Sequence, residues 1–278
     1  MLKHFPPTKM DIPSLTQALE AAQRIFPCEQ ELLDKVPLPE IVRFFQKDLL
    51  TQQTPFLIRI AGQSGSGKSS QLLPSVKIGL EGRPYIQINV GAFARFHPMF
   101  ESWQKTAPNE VREKTNGFAL RALIMFYDYC VSQKVNIILD MTLLEPEIDL
   151  FLMGKAKKQG YRIQTHVLCV PKKISDRFIR QRQKQTGRQV LSRSASYFFK
   201  ALAPSLKCLT HSQFFTAQDG LVLWSHYRSE PICKTTLTNP SALRVLGAYR
   251  GNAHLSVRNP TTLFKSKCRW MRLFMKEV

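Results

Sequence analysis

The sequence predicts an α/β protein of three layers, with helices on both faces of a parallel sheet, of the P-loop NTPase type. Three observations carry that prediction. Short apolar runs rich in Ile and Val recur at "PFLIRIAG" (55–62), "PYIQINV" (84–90), "VNIILD" (135–140) and "RIQTHVLCV" (162–170), the pattern of strands buried on both faces. Helix-length segments separate these runs, and such alternation requires crossover connections and hence parallel pairing. The first run leads directly into a glycine-rich loop, "GQSGSGKSS" (62–70), that opens an apolar-periodic segment.

Taken in order, "SLTQALEAAQRIF" (14–26) and "PEIVRFFQKDLL" (39–50) repeat apolar residues at helical spacing, the second with Pro39 suited to a first turn. They form a helical N-terminal prefix, 1–54, to a core spanning 55–228. Within that core, helices are expected over 68–80, 117–132 and 146–159, the last opened by Pro146 and closed by Gly160. Pro74 lies inside the first of these, where it forfeits a backbone bond and kinks or shortens the helix without touching its N-terminal turn. "LVLWS" (221–225) adds a further strand after a long basic insertion. Residues 229–278 show no supporting periodicity and read as loop, helix and tail, a basic C-terminal extension. No internal repeat is present.

The 278 residues suffice for one sizeable core with appendages. Forty Lys and Arg against twenty Asp and Glu give a formal charge of +20, which favours polyanionic partners without choosing among nucleotides, nucleic acid and an acidic membrane surface. Six cysteines without a C-x-x-C pair or a His cluster point to a reducing compartment rather than a disulfide framework. The N-terminus carries no secretory apolar run and no segment approaches the ~20 apolar residues of a membrane span, so a soluble, cytoplasmic protein is expected. A non-classical export signal is invisible to these rules.

Gly62-Gln63-Ser64-Gly65-Ser66-Gly67-Lys68-Ser69 fits G-x-x-x-x-G-K-[ST] at every fixed position, and Ser70 follows it. In such a loop the backbone amides point onto the phosphates of ATP, the lysine reaches the terminal phosphates, and the Ser69 hydroxyl takes a site on Mg2+. A flexible Gly/Ser turn is the plainer alternative, but the preceding strand and following helix supply the context the motif requires. Asp140 ends an apolar strand, where P-loop proteins commonly place an acid for magnesium or its water shell. The alternative is an acid capping the next helix. Further on, "KKISDRFIRQRQKQTGRQVLSR" (172–193) carries eight cationic residues, among them Arg182 and Arg193, against Asp176. Such a run is either a solvated helix face or a cationic lid that stabilises charge on a transferring phosphoryl group.

In order and spacing, "GQSGSGKSS", "INVGAFARFHPMF", "LDMT" and "VPKKISDRFIRQRQ" resemble the zeta toxin family of P-loop kinases over residues 55–226. The resemblance implies an ATP- and magnesium-dependent kinase that phosphorylates the 3′-hydroxyl of the amino sugar in UDP-N-acetylglucosamine, and a small antitoxin that blocks the nucleotide site. It assigns Lys68 and Ser69 to the cradle and sets Arg182 and Arg193 facing ATP phosphates. Asp140 falls where the family usually has Glu, while Thr142 and the His97-Pro98 pair fall on the sugar-nucleotide side. For His97, bracing the turn after the strand is the alternative to contact with substrate.

Departures cluster on the acceptor side. Gly91 occupies the position of the family's general base, an Asp, and Asn89 replaces another frequent acid. Leu144 stands for an arginine, and a second expected acid falls in the apolar stretch around Ile124 and Met125. General-base assistance typically contributes about 100- to 10,000-fold, so its loss predicts a weak kinase or one with another acceptor. Three functions follow: a small-molecule kinase acting on a nucleotide sugar or another hydroxylated acceptor; a nucleotide-binding pseudokinase acting through a protein partner; and, least favoured, a nucleic-acid kinase or binder. Against the last, no basic platform interleaved with aromatics is present.

Overall fold

The computed structural model describes residues 11–29, 32, 35–80, 82–143, 145–170, 172–186, 220–225 and 231–236. Its centre is a six-stranded sheet in the order β2-β3-β1-β4-β5-β6. The strands are β1 (Phe56–Ala61), β2 (Ile86–Asn89), β3 (Ile137–Asp140), β4 (Arg162–Cys169), β5 (Gly220–Ser225) and β6 (Pro231–Thr236). The first five pair in parallel, as the helices alternating with their largely apolar runs lead one to expect. β6 corrects the sequence reading: it is an edge strand antiparallel to β5, where loop, helix and tail were expected. Only residues 226–230 join the two strands, too few for the crossover a parallel neighbour needs.

Each sheet face has its own core. Alternation along β1 sends Leu57 and Ala61 to one side and Ile58 and Ile60 to the other. The larger core is covered by α1 (Leu15–Ile25), α2 (Leu38–Phe44), the short α4 (Val90–Phe93), α6 (Val111–Ser132) and α7 (Pro146–Lys158). The smaller one is covered by a π-helical turn, Lys68–Leu72, leading into α3 (Leu73–Ile78). A further helix, α5 (Phe100–Thr106), follows a 3-10 turn at Ala94–Phe96, and α8 (Lys172–Thr186) follows β4.

The helical prefix is part of the larger core. Ser14 caps α1 through a reciprocal capping box with Gln17, and buried Ala18, Ala21 and Ala22 let the helix lie close to the core helices. Gly154 of α7 leaves room for Ile12, since a Cβ there would stand 2.6 Å from its side chain. Pro74 acts as its sequence context implies. Lacking an N–H and crowding the carbonyl four residues back, it separates α3 from a wider turn in which the Leu73 amide donates to the Lys68 carbonyl. One charge pair is buried within the larger core: Arg59, in the middle of β1, donates to Asp149 of α7, the two residues being 2% and 0% exposed. Among the described residues, no helix is long and apolar enough to cross a membrane.

Candidate nucleotide-binding site

The site lies at the carboxyl ends of β1 and β3, the edge at which parallel α/β sheets bind ligands. After β1 the chain turns through Gly62–Gly67 and enters the π turn at Lys68. Gly67 has φ +95° and Gly65 φ +74°, conformations that only glycine adopts at little cost. At Gly65 space is equally restrictive, because a Cβ would lie 2.5 Å from the Ser175 carbonyl oxygen and 2.7 Å from the Ile179 side chain. Helix α8 therefore rests directly on the loop.

Lys68 folds over its own loop, its Nζ donating to the carbonyls of Gly62 at 2.6 Å and Gln63 at 3.1 Å. Enclosure of this ammonium pulls it down to about 8, a shift that Asp140 opposes and that Arg112 and Arg182 reinforce. These influences identify a group of charges around the loop: Lys68, Asp140, Arg112 and Arg182. Ser69 Oγ donates to Asp140 Oδ2 at 3.3 Å. Burial raises the Asp140 carboxyl above its ordinary range, and Lys68 and the Ser69 hydroxyl offset part of that rise. Ser66 Oγ and Gln63 Oε1 are buried without a hydrogen-bond partner among the described residues, while Ser64 is half-buried and Ser70 exposed.

The paired Ser69 and Asp140 oxygens are the hard donors a magnesium ion prefers, so the residues present fit that ion. The left-handed glycines of the loop and the ammonium of Lys68 folded over it fit a polyphosphate. Arg112, in the first turn of α6, escaped the sequence reading, which began that helix at residue 117; the polar stretch "REKTN" hid the two turns before it. Arg193 and Leu144 lie outside the described residues.

The residues that the sequence reading assigned to the acceptor side contrast with this arrangement. Gly91 is exposed in the first turn of α4, and Asn89 is used as that helix's cap, its Oδ1 accepting from the Ala92 amide at 3.1 Å. His97 is 3% exposed, and its Nδ1 accepts from the Met99 amide at 3.0 Å. Its ring lies 4.8 Å from that of Trp103 and 5.1 Å from that of Phe118. The histidine thus braces the turn into α5, and burial pushes its imidazolium below histidine's ordinary range. Thr142 is half-buried just beyond β3, and Ile124 is fully enclosed in the larger core.

Comparison with known proteins matches a family model described as Zeta toxin to residues 43–225. No curated protein matches in sequence. Among solved structures, one from the characterisation of the PezAT chromosomal toxin-antitoxin system of Streptococcus pneumoniae aligns with a TM-score of 0.59. It is 17% identical, over 81% of this chain and 88% of that one, a likeness of fold. Two structures of an AvrRxo1-ORF1:-ORF2 complex, one native and one with ATP, align at a TM-score of 0.46 and 15% identity. They cover 76% of this chain and 61% and 60% of theirs.

Proposed function

The chain belongs to the zeta toxin family, whose kinases are ATP-dependent phosphotransferases, and on that premise we propose that it binds ATP with magnesium and transfers the γ-phosphate to a hydroxyl of a nucleotide sugar. The observation that carries this reading is the Ser69–Asp140 pair beside Lys68 at the mouth of a glycine loop. Lys68 exchanges its two carbonyl partners for phosphate oxygens when ATP enters. Ser69 and Asp140 would hold a magnesium ion, which would supply charge neutralisation at the phosphates. Arg182 and Arg193 offset charge on the transferring group. In the step itself the acceptor oxygen forms a bond to the γ-phosphorus as the bond to the ADP oxygen breaks, and the hydroxyl proton leaves to solvent or a carboxylate. The transition state is loose, so positioning and electrostatics carry most of the acceleration even without a base at position 91.

UDP-N-acetylglucosamine is the acceptor proposed from family membership, with Thr142 and the His97-Pro98 turn shaping its side, and a small antitoxin is the proposed protein partner. Gly91 and the internally engaged Asn89 favour a second reading, a pseudokinase that binds ATP and acts through a partner. The test is incubation with ATP, magnesium and UDP-N-acetylglucosamine, with mass-spectrometric detection of a product heavier by one phosphate and Lys68→Ala as control. A product that vanishes in the variant supports transfer; ATP binding without product, across a panel of hydroxylated acceptors, supports the second reading.

A further inference from the structure

The basic segment after β4 reads in sequence as a solvated face or a lid, yet one side of α8 is neither. Ser175 is 1% exposed and Ile179 7% exposed, and both meet the space that a side chain at Gly65 would fill. Gln63, itself 1% exposed, donates from Nε2 to Ser175 Oγ at 2.9 Å and also to the Val170 carbonyl at the end of β4. A single loop side chain thus ties together the exit of the strand and the first turn of the helix. Ser175, Ile179 and Arg182 are spaced i, i+4 and i+7, so they share one face of α8, the face resting on the glycine loop. Arg182 follows Ile179 along that face, where its charge reaches Lys68.

We propose that the Gln63–Ser175 hydrogen bond is a latch that sets the position of α8 on the loop, making Ser175 a positioning residue that acts through Arg182. The proposal rests on the reading of the loop as an ATP site. Ser175 touches no nucleotide in this scheme: the latch fixes the helix, and the helix aims the guanidinium at the phosphates. A hydrogen bond of this kind contributes about 0.5–1.5 kcal/mol, equivalent to about 2- to 12-fold in affinity.

The experiment is a double-mutant cycle on the full chain, titrating N-methylanthraniloyl-ATP with magnesium into the wild type, Ser175→Ala, Arg182→Ala and the double variant. A latch acting through Arg182 weakens binding in Ser175→Ala by about 2- to 12-fold and by less than about 2-fold once Arg182 is absent. Equal losses in both backgrounds, or no loss in either, overturn it. Amide hydrogen exchange of the nucleotide-free protein supplies a second readout. Faster exchange in Ser175→Ala confined to residues 176–186 supports the latch even if the wild type fails to bind nucleotide, a result that sinks only the ATP reading. Unchanged exchange there, or a rise spread evenly over the sheet, overturns the latch.

Discussion

The glycine-loop half of the sheet's carboxyl edge and the half beyond β2, proposed above as the nucleotide and acceptor sides, use their polar groups in opposite ways. Around the glycine loop, Lys68, Ser69, Asp140, Arg112 and Arg182 are gathered where a charged ligand would meet them. Among the described residues, Lys68 donates to carbonyls of its own loop alone, an arrangement that a phosphate can displace. On the other side, Asn89 is consumed as a helix cap, His97 as a turn brace, and Ile124 fills the core. The difference teaches that polar side chains on one sheet edge can be left to meet a ligand in one place and spent on caps and turns in another, within one fold. Asn89 Oδ1 and His97 Nδ1 each have a structural duty there, while His97 Nε2 is buried without a hydrogen-bond partner among the described residues.

The most severe way to sharpen the contrast is to restore the acid. Gly91→Asp is expected to raise transfer to UDP-N-acetylglucosamine by about 100- to 10,000-fold while leaving ATP affinity within about 2-fold, read by product formation beside nucleotide titration. An unchanged rate places the deficit elsewhere on the acceptor side. Next in size is the charge pair buried in the larger core. Asp149→Ala strands Arg59 in the core and is expected to destabilise the fold by about 3–5 kcal/mol in urea denaturation. Because this pair serves the shared sheet, both halves should suffer together.

A smaller effect separates the halves. Gly65→Ala sets a Cβ against the Ser175 carbonyl at a left-handed backbone position, and a loss of about 1–3 kcal/mol is expected together with weaker ATP binding. The same change at exposed Gly82, which has φ +74° but open space around it, is expected to leave ATP binding unaltered.

The smallest effect belongs to the acceptor side. His97 is buried in its neutral form, so the unfolded chain takes up a proton at higher pH than the folded one does. Stability contributed by the neutral imidazole is present above the ordinary histidine pKa of about 6.5 and declines as pH falls through it toward the depressed folded value. The slope from this one group is at most about 1.4 kcal/mol per pH unit, measurable as the difference between wild type and His97→Phe in urea titrations.

Much of this was legible in the sequence because the physics is local. β1 to β4 announce themselves as Ile- and Val-rich runs, β5 as the apolar LVLWS, α1 by apolar residues at helical spacing, and the loop by glycines that its backbone needs. Asp140 was legible because it ends an apolar strand. What stayed hidden is short or distant. α4 and the 3-10 turn after it are too brief for a helical period to register. β6 carries no apolar alternation, since an edge strand needs little. The Gln63–Ser175 contact joins residues 112 apart in sequence, and only packing of α8 onto the loop creates it. The Arg59–Asp149 pair likewise joins residues 90 apart in sequence, and only the packing of α7 onto the sheet creates it.

The proposal that the glycine loop binds ATP independently of the turn braced by His97 is tested most directly by calorimetric titration of the wild-type protein with ATP and magnesium, beside Lys68→Ala and His97→Ala. The account expects saturable binding that Lys68→Ala reduces by at least about 10-fold and that His97→Ala leaves within about 2-fold. Absence of binding by the wild type, or binding that survives Lys68→Ala undiminished, would contradict it.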